Sequence, residues 1–509
     1  MSDHDVLIVG AGHNALVCAT FLARAGRRVH VIERSDTIGG ATRTERPFPK
    51  APEVQCSTGA YLLGLMPPEL LQKLEIELPL IRRDPHYFLP TTGERYLLMG
   101  SDRDAVREQM IAHFGPADWE ADERLTAELG AFREDVGPAW MAPPLSVEET
   151  AERYVRAELR DAFVGLCRGS IGAYLDRFGF ESDLLKAMYA VTDGFTGLDG
   201  DWDTPGTGMN FLIHNMCRLP GAAGTWMVVE GGMGTVARVL EKAAREAGAT
   251  FETGVEVVAA DVEECVARGV TLADGRSLRA PVVVFGTDPF RFAELAPFPQ
   301  WFQARVAGWR RDGTTLKLNL CLDALPEFRS LPQAVGQHRG TIHLLPEEGV
   351  VLETLRQSFA DVRAGRLPEF PAIEWYIHTT LDPSLSDAEG RHSAALFVQW
   401  VPYELTDTTW AAEESRYVEH LLSICDRFAP GTSDRVVDTY PLTPPTLEER
   451  FGLSRGHIHH LDNTYGFDER VPHRLPIGGL YACGAGCHPG GSVIGAAGHN
   501  AAMEILADG

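Results

Sequence analysis

A continuous apolar run, Val6-Leu7-Ile8-Val9, leads directly into Gly10-Ala11-Gly12-His13-Asn14-Ala15 and then a helical stretch. No other feature limits the chain so strongly. An unbroken apolar run predicts a strand buried on both faces, as in a parallel sheet. In a G-x-G-x-x-A turn, Gly10 allows the tight turn and Gly12 lets backbone approach a pyrophosphate. Ala15 is small enough for helix and strand to pack closely. The helix start, with His13 and Asn14, turns free N–H groups and a positive dipole end toward the phosphates. The pattern predicts a helix from Asn14 to Ala25, stopped by Gly26, and a second strand from Arg28 to Ile32. Glu33 follows, 21 residues beyond Gly12, where a carboxylate accepts ribose hydroxyls. The same charge repels a 2′-phosphate, which argues against NADP.

Three further segments are built from small residues. Gly39-Gly40-Ala41-Thr42 follows Glu33-Arg34, and its glycine pair lets backbone pass close to a bulky ligand. Arg34 or Arg43 is placed to face phosphate or flavin, and Arg43 taken alone reads as solvated ahead of bound. Ser57-Thr58-Gly59-Ala60 would let a planar ring approach the backbone. Near the end, the apolar Leu480-Tyr481-Ala482 runs into Cys483-Gly484-Ala485-Gly486-Cys487-His488-Pro489-Gly490-Gly491-Ser492-Val493 and a small-residue helix. The N–H groups of that second helix start are suited to negative charge on a reduced ring.

The chain has 509 residues and 51 glycines, about a tenth against a typical ~7%. Its net charge of −25 disfavours nucleic acid and broad binding to anionic lipid. A small apolar patch for peripheral membrane contact stays compatible with that charge. Nine scattered cysteines without a C-x-x-C point to a reducing compartment, and the expected location is cytoplasmic. Cys483 and Cys487 read as small packing residues ahead of a redox pair. A strand beginning at Asp5 leaves no room for a secretory leader, and no apolar run approaches the ~20 residues of a membrane span.

Along the chain, residues 66–220 read as mostly helical, with helices from Glu148 to Arg168 and from Asp183 to Ala190. A strand at Trp226–Val229, a helix from Thr235 to Ala247 and strands around 250–260 and 270–272 follow. Asp274-Gly275 marks a hairpin turn, and Val282–Phe285 is a buried strand. Residues 300–470 mix strands (Leu316–Leu322, Ala394–Val401) with a helix from Trp410 to Phe428. Residues 1–65, 221–297 and 471–509 therefore form one discontinuous nucleotide-binding domain. Residues 66–220 and 298–470 form the substrate lobe.

The Gly10–Ala15 turn, Glu33-Arg34 with Gly39–Thr44, and the C-terminal stretch Leu480–Gly498 resemble the phytoene desaturase-like family, which belongs with the amine oxidases. So do Glu230-Gly231-Gly232-Met233-Gly234 and Val284-Phe285-Gly286-Thr287-Asp288-Pro289. The Gly-x-Gly-His-Asn start and the Leu-Tyr-x-Cys-Gly…His-Pro-Gly-Gly close are similar to its phytoene-dehydrogenase-related branch. The resemblance implies an α/β fold: a Rossmann-type FAD-binding domain, GR2-like, with an inserted α+β substrate domain. It implies FAD as cofactor. Gly10, Gly12 and Ala15 would hold the pyrophosphate, Glu33 the ribose, and Val257 the adenine through its backbone. Gly39, Gly40, Ala41 and Thr42 would line the flavin side, with Asp288 nearby. Gly484, Gly491, Ser492 and Val493 would close over phosphate and ring. Ser492 departs from the branch, where a third glycine often stands.

The family precedent is desaturation or isomerisation of a lipophilic substrate, with oxygen or a quinone taking the electrons, since one complete dinucleotide turn is present. This reading predicts a long apolar cavity. A flavin amine oxidase predicts an aromatic cage, and a non-catalytic FAD-binding interaction protein predicts a blocked ring face. His488, in the closing loop, is the first candidate for a base, and His214 the second. Tyr376, His378 and Trp400 fall on expected strands and suit packing as well as a tunnel wall. His457, His459 and His460 lack a matching carboxylate or cysteine set, so no metal is expected. Oligomeric state is open.

Overall fold

Five short runs, far apart in sequence, pair into one parallel sheet in a computed structural model that describes residues 4–222 and 224–508. The order is Leu480–Ala482, Val282–Phe285, Val6–Val9, Val29–Glu33, Thr250–Thr253. The central strand is apolar at every position because helices cover both faces. The sheet thus draws on the beginning, middle and end of the chain. Residues 1–3 and 509, at the outer edges of the expected domain, lie outside the described residues.

The first helix, His13–Arg24, packs on the last, Ala496–Ala507. A Cβ at Gly498 would stand 2.0 Å from the Asn14 carbonyl oxygen, so only glycine allows this approach. The closing helix therefore buttresses the first, and Ser492 and Val493 of the preceding loop reach the cavity in its stead.

A second, seven-stranded sheet forms the other lobe. Its order is Val436–Leu442, Thr315–Leu322, His392–Gln399, Ala372–Ile377, Thr341–Leu344, Tyr87–Pro90, Tyr96–Met99. Alternation decides its two faces. Leu316, Leu318, Ile373, Trp375, Leu396 and Val398 pack in one core with Tyr417, Leu421 and Cys425 of helix Trp410–Phe428. The residues between them, among them Lys317, Glu374, Tyr376 and Phe397, face the first lobe.

Several expectations are corrected. Residues 66–220 are mostly helical as expected, but they add three short strands that the sequence did not suggest, Leu80–Arg82, Tyr87–Pro90 and Tyr96–Met99. The helix expected from Glu148 to Arg168 is two helices, Val147–Tyr154 and Arg160–Arg168, with a short 3-10 turn between. Arg156 is extended there because its N–H and guanidinium bind Asp135. The helix Asp183–Tyr189 runs on into a π-turn, Ala190–Gly194, which turns Thr192 toward the cavity. Trp400 lies beyond its strand, which ends at Gln399, and His378 lies in a 3-10 turn after Ile377. Neither lines the cavity; Tyr376 does. Among the described residues, no helix is long and apolar enough to cross a membrane. Cys483 and Cys487 are buried and free.

Candidate active site

One cavity spans both lobes. Its outer end is made of backbone and small side chains, its inner end of strand side chains from the seven-stranded sheet.

At the outer end, Gly10 has φ +92°, the left-handed turn that glycine favours. Gly12 bridges to Gly39 and has open space where a Cβ would be. Glu33 accepts from the Ala11 N–H at 2.8 Å and from the Ser35 N–H at 2.9 Å. Each carboxylate oxygen keeps a lone pair for a hydroxyl. His13, Asn14, Arg34, Gly39, Gly40, Ala41, Thr42, Gly59, Ala60, Val257 and Asp288 all line the space. Asp288, however, accepts from the Phe290 and Arg291 N–H groups and from both N–H and hydroxyl of Ser454. Its oxygens cap a helix, so its part in a ligand site is to place its loop. Arg43 donates to the Gly40 carbonyl at 2.7 Å and lies over Phe451, holding the glycine pair rather than reaching outward.

Three expected residues do not line the cavity. Ala15 packs under Gly286, as its size suggests. Gly484 abuts the Gly286 and Thr287 carbonyls, and Gly491 abuts His459 while its N–H donates to Asn463. They shape the loop that presents Ser492 and Val493. Ser492 takes φ +103°, the left-handed region that explains glycine at such a position. Its hydroxyl lies 3.2 Å from His214 Nε2.

The two histidine candidates separate. His488 points away from the cavity; its Nε2 is 3.0 Å from the Ala139 carbonyl and its ring packs edge-on against Phe467. Burial pushes it down to about 3, so it is neutral throughout the working pH range. His488 is thus corrected from base to packing residue. His214 does line the cavity, between the Asp193 carbonyl and Ser492. Burial holds it down to about 4. A ring with both nitrogens engaged is a positioning group.

The cavity's own buried, unpartnered polar atoms test the fit of a dinucleotide. His13 Nε2, Thr287 Oγ1, His459 Nδ1 and His460 Nδ1 lack a hydrogen-bond partner among the described residues. All four residues line the cavity. Buried polar atoms left unpaired cost about 1–3 kcal/mol each, so this donor set suits a polar ligand. The residues present fit FAD.

The inner end escapes sequence reasoning. Lys317 is buried, and its ammonium donates to the Ser57, Thr58 and Gly59 carbonyls and sits 4.6 Å from the Tyr61 ring centre. Burial lowers it to about 8. Glu374 is raised to about 7, chiefly by burial, against the opposing effect of hydrogen bonds with Thr192 and Tyr376 and of the Arg83 charge. Arg83 is 2% exposed, donating to the Trp226 carbonyl and the Thr341 hydroxyl. Around them stand Tyr61, Leu62, Tyr376, Phe397 and Ile458. The expected long apolar channel is therefore an aromatic-walled chamber with a charged inner end. A signal exists: Thr315-Leu316-Lys317-Leu318-Asn319-Leu320 alternates polar and apolar residues, and every position of that strand is buried. His457, His459 and His460 form no metal cluster, and none is found among the described residues.

Residues 8–72 match the NAD(P)-binding Rossmann-like domain family. The chain is 34% identical to the mouse pyridine nucleotide-disulfide oxidoreductase domain-containing protein 2, across 99% of this chain and 94% of that protein. It is 26% identical to a limonene dehydrogenase component from Castellaniella defragrans, across 99% and 94%. It is 24% identical to the all-trans-zeta-carotene desaturase of Myxococcus xanthus, across 97% and 91%. The chain belongs to the phytoene desaturase-like oxidoreductase family. Wild-type putrescine oxidase bound to putrescine is similar to this phytoene desaturase-like chain at TM-score 0.61, with 17% identity over 99% of this chain and 98% of that one. An oxidoreductase from Methanosarcina mazei is similar at TM-score 0.61, with 16% identity over 99% and 100%. At such identity the likeness shows the fold alone. The inner end of the cavity in this phytoene desaturase-like chain carries three ionisable side chains, Arg83, Lys317 and Glu374.

Proposed function

We propose that the chain is an FAD-dependent dehydrogenase that oxidises a carbon–carbon bond of a lipophilic substrate. One observation carries the reading: a single cavity joins an outer end lined by Gly10, Gly12, Gly39 and Glu33 to an inner chamber walled by Tyr61, Tyr376 and Phe397. The limonene and carotene named for two relatives support the substrate class. Gly10, Gly12, His13 and Asn14 would hold the pyrophosphate and Glu33 the ribose. Gly40, Ala41, Thr42, Gly59, Ala60, Ser492 and Val493 would border the ring. FAD, when bound, supplies a two-electron acceptor.

The chain's own side chains do the rest. Leu62, Trp226, Phe397 and Ile458 exclude water from the chamber. Lys317 fixes the Ser57–Gly59 backbone beside the ring site. Desaturation removes a hydride and a proton from neighbouring carbons. Glu374, which lines the cavity and whose carboxyl burial raises to about 7, is the proposed acceptor of that proton. Oxygen or a quinone is the proposed final acceptor.

One observation favours a second reading, an amine oxidase. Tyr61, Tyr376 and Phe397 cluster, with Tyr61 4.7 Å from Tyr376 and 5.8 Å from Phe397. Against it, Arg83 and Lys317 repel an ammonium group. Anaerobic bleaching of the flavin by a panel of terpenes, polyenes, acyl compounds and amines decides. Bleaching by unsaturated or saturated hydrocarbon-bodied compounds supports dehydrogenation. Bleaching by amines alone overturns it.

A further inference from the structure

We infer that the inner end of the cavity binds a carboxylate, so that the substrate is an amphipathic acid whose charged group meets Arg83. The inference rests on the proposed reading in taking this chamber as the substrate's. Arg83 is the observation that carries it. A guanidinium has five N–H donors in a planar fork. Here Nε donates to the Trp226 carbonyl at 2.9 Å and Nη1 to the Thr341 hydroxyl at 2.6 Å. Nη2 has no protein partner among the described residues, and Arg83 lines the cavity. The two bonds made by the protein hold the fork in place and leave its far edge free.

No carboxylate forms an ion pair with Arg83 among the described residues. Glu374 has His343 Nε2 at 3.7 Å as its ion-pair contact, and His343 is kept neutral by burial. Asp193 supplies no balancing charge either, since burial raises it to about 8. The chamber wall thus carries Arg83 with an open edge, Lys317 with its donors taken by three carbonyls, and one carboxyl group, Glu374, that burial raises to about 7. A buried charge without a partner is costly, and a ligand carboxylate matches the fork bidentately. An ammonium ligand would meet two like charges instead. The aromatic and aliphatic wall of Tyr61, Leu62, Tyr376 and Phe397 is left for the apolar body.

The test is calorimetric titration of the FAD-bearing protein with three probes of equal length: hexanoate, hexylamine and hexan-1-ol. Hexanoate is expected to bind, and the other two at least tenfold more weakly. Arg83→Gln should weaken hexanoate about 10- to 100-fold, the range of one lost charge-assisted pair. Arg83→Lys, which keeps charge without the fork, should fall between. Glu374→Gln, which removes the partial negative charge Glu374 carries near neutrality, should leave hexanoate binding equal or tighter, and it keeps the test alive if Arg83→Gln fails to fold. Equal binding of hexylamine or hexan-1-ol overturns the inference. So does unchanged hexanoate affinity in Arg83→Gln, or weakened affinity in Glu374→Gln. The heat signal does not require flavin. A wild-type protein that refuses FAD therefore overturns the dehydrogenase reading, whereas an FAD-loaded protein indifferent to hexanoate overturns this inference alone.

Discussion

Lys317 and Glu374 face the same cavity from strands separated by one other, and Phe397 on the strand between them is the register partner of both. The row places a cation and a carboxyl group two strand spacings apart, about 10 Å between backbones, and no ion pair joins them among the described residues. Neither therefore has the other as a counter-ion, and burial outweighs the neutral and distant partners each one has. That explains why Lys317 is pushed down and Glu374 up.

Glu374 makes stability depend on pH in a stated direction. Its proton affinity rises from 4.5 to about 7 on folding, so the folded state binds the proton more tightly than the unfolded chain. The contribution is fully present below the unfolded value and is lost as pH climbs through the folded one. The difference in urea stability between wild type and Glu374→Gln should fall by up to about 3 kcal/mol between acid and mildly alkaline pH. A difference that is flat with pH contradicts this environment for Glu374.

Lys317→Met should leave three carbonyls, at Ser57, Thr58 and Gly59, without their donor. Each buried carbonyl so stranded costs about 1–3 kcal/mol before relaxation. We expect a clear drop in Tm and a fall in kcat of at least tenfold, with FAD retained, because the dinucleotide end is built by other residues. Thermal melts and steady-state kinetics check both.

How far these sites are legible in the sequence follows from their chemistry. The dinucleotide end is made by backbone, and backbone needs are written locally: Gly10, Gly12 and Gly39 are glycines for reasons of turn and approach. Spacing alone places Glu33. The inner end is made by side chains from residue 83 and from strands around 317 and 374, which meet only through the pairing of distant segments. No local pattern ties Arg83 to Glu374. His488 misleads because its loop is in the right place while its ring turns back to Ala139. The single long helix expected after Glu148 fails because Asp135, distant in sequence, captures Arg156.

His488 should therefore behave as a packing residue. His488→Gln is expected to lower stability by about 1–3 kcal/mol through its lost bond to Ala139 and to leave the pH profile of kcat/KM unchanged. A profile that loses a limb in this variant would restore His488 as a base.

Gly39→Ala and Gly12→Ala should separate folding from cofactor binding. At Gly39, φ is +125° and a Cβ would stand 2.8 Å from both Ala237 Cβ and the Thr42 carbonyl, so this variant should be strongly destabilised. At Gly12, φ is −72° and no protein atom lies within 4 Å of a Cβ. Gly12→Ala should fold with a Tm near wild type.

The visible absorption spectrum of the gently purified protein, before and after adding FAD, tests the central claim most directly when read beside Gly12→Ala. The expected result is a yellow wild type that takes up stoichiometric FAD, and a folded Gly12→Ala that stays colourless because its methyl group fills the space of the pyrophosphate. A colourless wild type that refuses FAD, or a Gly12→Ala that binds FAD as tightly as wild type, would contradict it.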